Sequence, residues 1–270
     1  MNAAVPASAW SAHLSLGFTA CGSKSVLAHR FQDGPLVVQK PLYPEGEAVC
    51  HAIVVHPPGG IAGGDDLRLD VKAGARAAAV LTTPGAAKWY RSAGPWARQK
   101  LAFEVGGTLE WLPRETIVFD GALAELACEV RLTGAARYIG WEIVCLGRTG
   151  SGERFSRGTL RVDTRIARDG KLLWMERGEI DGGSALMRSP VGLAGKSVFG
   201  SLIAAAPAFE ASIVNRCRDM AATTVLPGLL IARYLGDSTE DAFERFKGLW
   251  SLLRPSVAGR EAVQPRIWRT

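Results

Sequence analysis

The chain has 270 residues, is 47% apolar and 21% charged, and carries a formal charge of +6. Apolar content at that level excludes a disordered chain and supports a large core. Its basic residues are scattered without a run of five or six, which argues against a nucleic-acid groove and suits an acidic protein partner instead.

Trp10 to Phe18 alternates, with Trp10, Ala12, Leu14, Leu16 and Phe18 on one face, and reads as a half-buried strand. Leu36-Val37-Val38-Gln39 is a second strand, ended by Pro41 and Pro44. Ile53-Val54-Val55 then leads into His56-Pro57-Pro58-Gly59-Gly60-Ile61-Ala62-Gly63-Gly64-Asp65-Asp66-Leu67. The two prolines stiffen the approach. The glycines that follow mark backbone with positive φ or in close approach to something else. Further strands are expected at Leu67–Lys72, Ala77–Thr82, Leu101–Val105, Leu109–Leu112, Thr116–Phe119, Cys128–Leu132 and Tyr138–Cys145. Each is short and bounded by turn residues. Arg157 to Arg177 reads as a hairpin, with Leu160, Val162, Thr164 and Ile166 on one arm and Asp169-Gly170 as a type I′ turn. Val198–Ala205 and Leu229–Leu235 are two more strands.

Two segments are helical. One runs from Pro207 to Met220, with Ile213, Cys217 and Met220 on a stripe. The other starts at Ser238-Thr239-Glu240-Asp241, a capped N-terminus with acid in the first turn. It places Phe243, Phe246, Trp250 and Leu253 on one face, and Pro255 is expected to stop it. No repeat of fixed length and no linker appears. The reading is therefore one mainly β domain over residues 1–270, with two helices in the C-terminal half.

Five widely spaced cysteines form no CxxC pair, which argues against a disulfide framework or a zinc knuckle and suits a reducing compartment. No apolar window is long enough to span a bilayer, and Met1 to Ala9 lacks the basic start of a signal peptide. A soluble, cytoplasmic protein is expected, with neither membrane nor nucleic acid as partner.

The chemistry-bearing motifs narrow the function by exclusion. Ala194-Gly195-Lys196-Ser197 contains the GKS of a phosphate loop, but Pro190 stands where the first glycine should be and β-prone Val198-Phe199 follows where a helix should open. Asp65 and Asp66 would repel phosphate from the glycine loop. No G-x-S-x-G elbow occurs. The four histidines, His13, His29, His51 and His56, read as structural. Cys50 and His51 point to opposite faces as strand neighbours. Carboxylates remain. Asp65 closes the glycine loop, Glu142 lies between Trp141 and Ile143 in an apolar strand, and Glu176 follows Leu172-Leu173-Trp174-Met175. An acid inside an apolar strand is either turned to solvent or buried at a cost. Buried acids lining a wet passage would bind a hard or borderline divalent cation weakly enough to release it.

The order of motifs resembles the UreD (UreH) family of urease accessory proteins over nearly the whole chain. The resemblance rests on the glycine loop, Pro41-Leu42-Tyr43-Pro44-Glu45-Gly46, Thr83-Pro84-Gly85-Ala86-Ala87-Lys88-Trp89-Tyr90-Arg91-Ser92 and Leu109-Glu110-Trp111-Leu112-Pro113. Gly140-Trp141-Glu142, Cys145-Leu146-Gly147-Arg148 and the closing Pro265-Arg266-Ile267-Trp268-Arg269-Thr270 extend it. It implies a β-solenoid-like stack of short strands with a pair of helices at one end. It also implies a non-enzymatic urease maturation chaperone that joins UreF, and through it the GTPase UreG, to apo-urease. Such a chaperone has no cofactor of its own and conducts nickel in transit. By position, Asp65, Glu142 and Glu176 are the acids the resemblance implies as tunnel-lining. One departure is Ala87, where a small hydroxyl residue usually precedes the lysine. The alternative from another class is a β-solenoid protein that binds or cleaves polysaccharide with paired carboxylates.

Overall fold

The computed structural model describes residues 9–269, so the reading of the first residues as no signal peptide and the final Thr270 of the closing motif lie outside the described residues. In chain order the strands are β1 (Ser11–Cys21), β2 (Lys24–Asp33), β3 (Val37–Val38), β4 (Cys50–Val55), β5 (Asp66–Ala73), β6 (Ala78–Thr82), β7 (Ala87–Trp89), β8 (Ala97–Val105), β9 (Thr108–Leu112), β10 (Thr116–Val118), β11 (Leu123–Leu132), β12 (Arg137–Leu146), β13 (Thr159–Arg168), β14 (Lys171–Asp181), β15 (Val198–Ala205), β16 (Ala222–Leu226) and β17 (Leu229–Gly236). The helices are α1 (Ala185–Arg188), α2 (Ala211–Met220) and α3 (Thr239–Ala258).

The strands form two sheets. The first has the order β14-β13-β11-β8-β5-β1-β2, and the second runs β16-β17-β15-β12-β9-β6-β4-β3 with β10 and β7 branching from β12. Between β4 and β13 the longer strands alternate from one sheet to the other, and same-sheet neighbours there pair in parallel. Antiparallel pairs occupy the flanks: β1 with β2, β13 with β14, and β12 through β15, β17 and β16. The mainly β reading holds. Its solenoid part is matched only by the parallel run from β4 to β13, since the antiparallel flanks make both sheets mixed.

Period-two patterning explains the layering. Ala12, Leu14, Leu16 and Phe18 of β1 are all buried in the core between the sheets. Trp10 was expected on that face but is 50% exposed, since it precedes the strand and its amide is held by the Asp65 carboxylate. On β12, Tyr138, Val144 and Leu146 point between the sheets, while Ile139, Trp141, Ile143 and Cys145 face a second core under α2 and α3. Trp141 packs there against Phe243, Phe246 and Trp268. The hairpin turn forms as expected, with positive φ at both Asp169 (49°) and Gly170 (77°).

Ser238 caps α3 by accepting a hydrogen bond from the Asp241 amide. Pro255 does not stop the helix. It runs on to Ala258 and ends at Gly259 with φ 69°. Proline removes only its own N–H, and the fully buried Val257 just beyond it holds the last turn in place. The fully buried Arg254 fastens α3 to the rest of the chain. Its Nε donates to Glu110 at 3.0 Å, and Nη1 and Nη2 donate to Glu45 at 2.9 and 2.7 Å. His51 Nε2 completes the cluster, 2.6 Å from Glu45. Burial pushes the Glu110 carboxyl up although Arg254 pulls it down.

Candidate functional site

The glycine loop between β4 and β5 lies against the Thr83–Ser92 motif. The Ile61 amide donates to Lys88 O (2.7 Å) and the Tyr90 amide to Ile61 O (2.8 Å). This contact accounts for two of the glycines. A Cβ on Gly60 would fall inside the Tyr90 ring and one on Gly63 would clash with the Ser92 side chain, while Gly64 holds φ 101°. Asp65 is 2% exposed, and its oxygens accept from the Trp10 and Ala62 amides, each at 2.8 Å. The carboxylate therefore closes the loop on itself and ties it to the start of β1.

Under this loop lies a cavity of about 320 Å³, bounded by His56, Gly60 and Ile61 on one side and by Thr83 to Lys88 on the other. Ala87 is part of its wall. His13, His29 and His51 all have polar partners, as structural histidines should. His56 differs: its Nε2 is buried with no hydrogen-bond partner among the described residues, and burial draws its pKa below 6.5 against the pull of Asp65. The imidazole is thus neutral at pH 7 in the cavity wall.

Glu142 forms part of the floor. It also lines a second, smaller cavity of about 70 Å³ between the two sheets, together with Cys128, Tyr138, Thr164, Glu176 and Ser201. Leu101 and Trp111 are likewise shared, so the two spaces adjoin across this floor. The Glu142 carboxyl is pushed up to about 7 by burial first and by the charge of Glu176 second, and no described group hydrogen-bonds to it. Burial likewise raises the Cys128 thiol, with Glu142 adding to the effect. Glu176 is bound by Arg233, 2.6 Å from its Oε1.

Of the three acids read from the sequence, Glu142 and Glu176 thus share one chamber, while Asp65 sits outside it with its oxygens on backbone amides. Sequence reading missed Cys128, Thr164, Ser201 and Arg233. The signal for them is cross-strand register, which a single strand does not display. The GKS segment forms a turn, with positive φ at Ala194 and Gly195, and runs into β15 rather than a helix. Cys50 lies in the inter-sheet core and His51 on the opposite face, where it meets Glu45. All five thiols are free. Among the described residues no three of His, Cys, Asp and Glu converge on one point as a metal-holding group would, and no helix is long and apolar enough to cross a membrane.

Fold and site together define a mainly β protein with an interior chamber between two mixed sheets, lined in part by polar groups. The model of the UreD urease accessory protein family matches residues 11–269. Urease accessory protein UreD of Azoarcus sp. strain BH72 is 54% identical to the chain, covering 100% of it and 97% of the relative. The proteins of the same name from Dechloromonas aromatica and Pseudomonas aeruginosa are 50% and 51% identical, each over 97% of the chain and 95% or 96% of their own length. The chain belongs to the UreD urease accessory protein family.

Proposed function

We propose that the protein is a urease maturation factor, non-enzymatic, that scaffolds UreF and UreG on apo-urease in the cytoplasm and conducts nickel toward the nascent active site. Family membership supports the maturation role, and relatives named as accessory proteins support the absence of turnover. The observation that carries the conduit is Glu142, a half-buried carboxylate with no hydrogen-bonding partner among the described residues, at the joint between two cavities. A carboxylate that titrates near neutrality has no structural reason to be left alone in an apolar strand. With Glu176, Thr164 and Ser201 it offers a sparse set of oxygen donors. Such a set suits a divalent cation that must move on, since tight retention needs more ligands at fixed geometry.

Asp65 acts in this reading by holding the glycine loop that roofs the first cavity.

The test is reconstitution with apo-urease, UreF, UreG, GTP, bicarbonate and nickel. Variants Asp65→Ala, Glu142→Ala and Glu176→Ala are expected to assemble the complex and activate urease poorly. Full activation by all three would remove the conduit and leave the scaffold.

A further inference from the structure

Between the two sheets, polar side chains line up along one lane. In the second sheet Glu142, Ser201 and Arg233 stand in register on adjacent strands β12, β15 and β17. In the first sheet Cys128, Thr164 and Glu176 do the same on β11, β13 and β14. Same-face neighbours on adjacent strands are about 5 Å apart, so each row runs from the interior to the sheet flank in two steps. The inner end holds Glu142, which has no partner. At the outer end Arg233 Nη1 donates to Glu176 Oε1 and to Ser201 Oγ, each at 2.6 Å, with the guanidinium carbon 5.8 Å from the Trp174 ring centre. Glu176 lines the chamber yet its side chain is 33% exposed, and that of Arg233 is 39% exposed. The pair therefore stands between the chamber and solvent and joins the two sheets there.

We propose that Arg233 is the selectivity residue of this lane: it occupies Glu176 against monovalent cations and yields it to a divalent one. The inference rests on the conduit reading and adds what that reading lacks, a means of keeping the abundant cations out. A sodium or potassium ion carries the same charge as the guanidinium but makes no directional bonds. It gains nothing by replacing a ligand that already bonds two oxygens. A divalent ion brings twice the charge and wins the exchange. Glu176 Oε2 accepts no bond among the described residues, so the arriving ion can bind before Arg233 leaves. Arg233 is already partly in water, and its release costs little because half-exposed ion pairs are weak. Ser201 keeps the guanidinium near for reclosure.

The experiment measures NiCl2 binding to the full chain by equilibrium dialysis, in KCl and in tetramethylammonium chloride at equal ionic strength. The second salt screens charge but is too bulky to enter. For the parent chain we expect nickel binding that Glu142→Gln and Glu176→Gln weaken and that is the same in both salts. In Arg233→Gln we expect nickel to bind about three- to tenfold tighter and KCl, but not tetramethylammonium chloride, to compete. Arg233→Lys should restore the indifference to KCl. A general packing defect would not produce a difference between the two salts. Nickel binding that depends on Glu142 but is identical in Arg233→Gln, in affinity and in salt response, overturns the proposal and leaves the conduit standing. Nickel binding indifferent to Glu142 and Glu176 overturns both.

Discussion

Replacing Glu142 with Gln should stabilise the protein, and only at neutral to alkaline pH. The carboxyl moves from 4.5 to about 7 on folding. At about 1.4 kcal/mol per pKa unit, the ionised folded form is penalised by roughly 3 kcal/mol. Between these two values the folded protein holds a proton that the unfolded chain has released, so stability falls as pH rises through that window. Below pH 4.5 both states are protonated and the penalty is absent. Above pH 7 it is complete. Glutamine keeps the shape and never ionises, so the variant escapes the penalty. For a chain of this size each kcal/mol shifts the melting midpoint by about 2–4 °C. The variant should therefore melt with the parent near pH 4.5 and about 6–12 °C above it at pH 8. Thermal unfolding of both proteins across this range tests the point, since all other titrations cancel in the difference. NiCl2 should narrow the gap at pH 8 by giving the parent carboxylate a counter-charge. A difference that is flat with pH would refute the assignment of Glu142 as an unpaired, desolvated acid.

Arg254→Met should cost about 3–5 kcal/mol in urea unfolding, because it leaves Glu45 and Glu110 buried without their cation; an unchanged midpoint would mean the cluster is not what anchors α3. Gly60→Ala should cost about 1–3 kcal/mol by driving Tyr90 off the loop, and most of that loss should vanish in the double variant with Tyr90→Ala, so strict additivity would contradict the contact. Asp65→Ala should lose about 1–3 kcal/mol from two orphaned amides, lowering the melting midpoint where Glu142→Gln raises it; equal midpoints for Asp65→Ala and parent would deny the loop-closing role.

Much of the fold was legible because burial imposes a period. The alternation of β1 and β5, the Asp169-Gly170 turn and the apolar face of α3 all follow from one-dimensional patterns. β2 was not legible, since most of it is exposed at a sheet edge and nothing selects an alternating face. β7 spans three residues, too few for any period. Pro255 misled because a local rule about proline yields to the burial of Val257. At the site, Glu142 stood out as an acid between two apolar neighbours. Asp65 looked much the same on paper, yet its oxygens went to backbone amides, a choice made by loop geometry. Arg233 sits within the predicted strand Leu229–Leu235 and carried no signal. Its role depends on which residues lie opposite on β15 and β14, and pairing between distant strands is not encoded within either strand.

The Arg254 clasp has a kinetic side. Its bond to Glu45 joins residues 209 apart in sequence, and its bond to Glu110 joins residues 144 apart. Contacts of such separation close late, after the entropy of the intervening loop has been overcome. During synthesis, β4 and β9 emerge long before α3 can cover the outer face of the second sheet. Until then Glu45 and Glu110 are solvated, and Val80, Ile139 and Ile143 face water. The nascent chain thus passes through a stage with both sheets paired and one broad apolar face open. Any chaperone or assembly partner that acts during synthesis meets that face first.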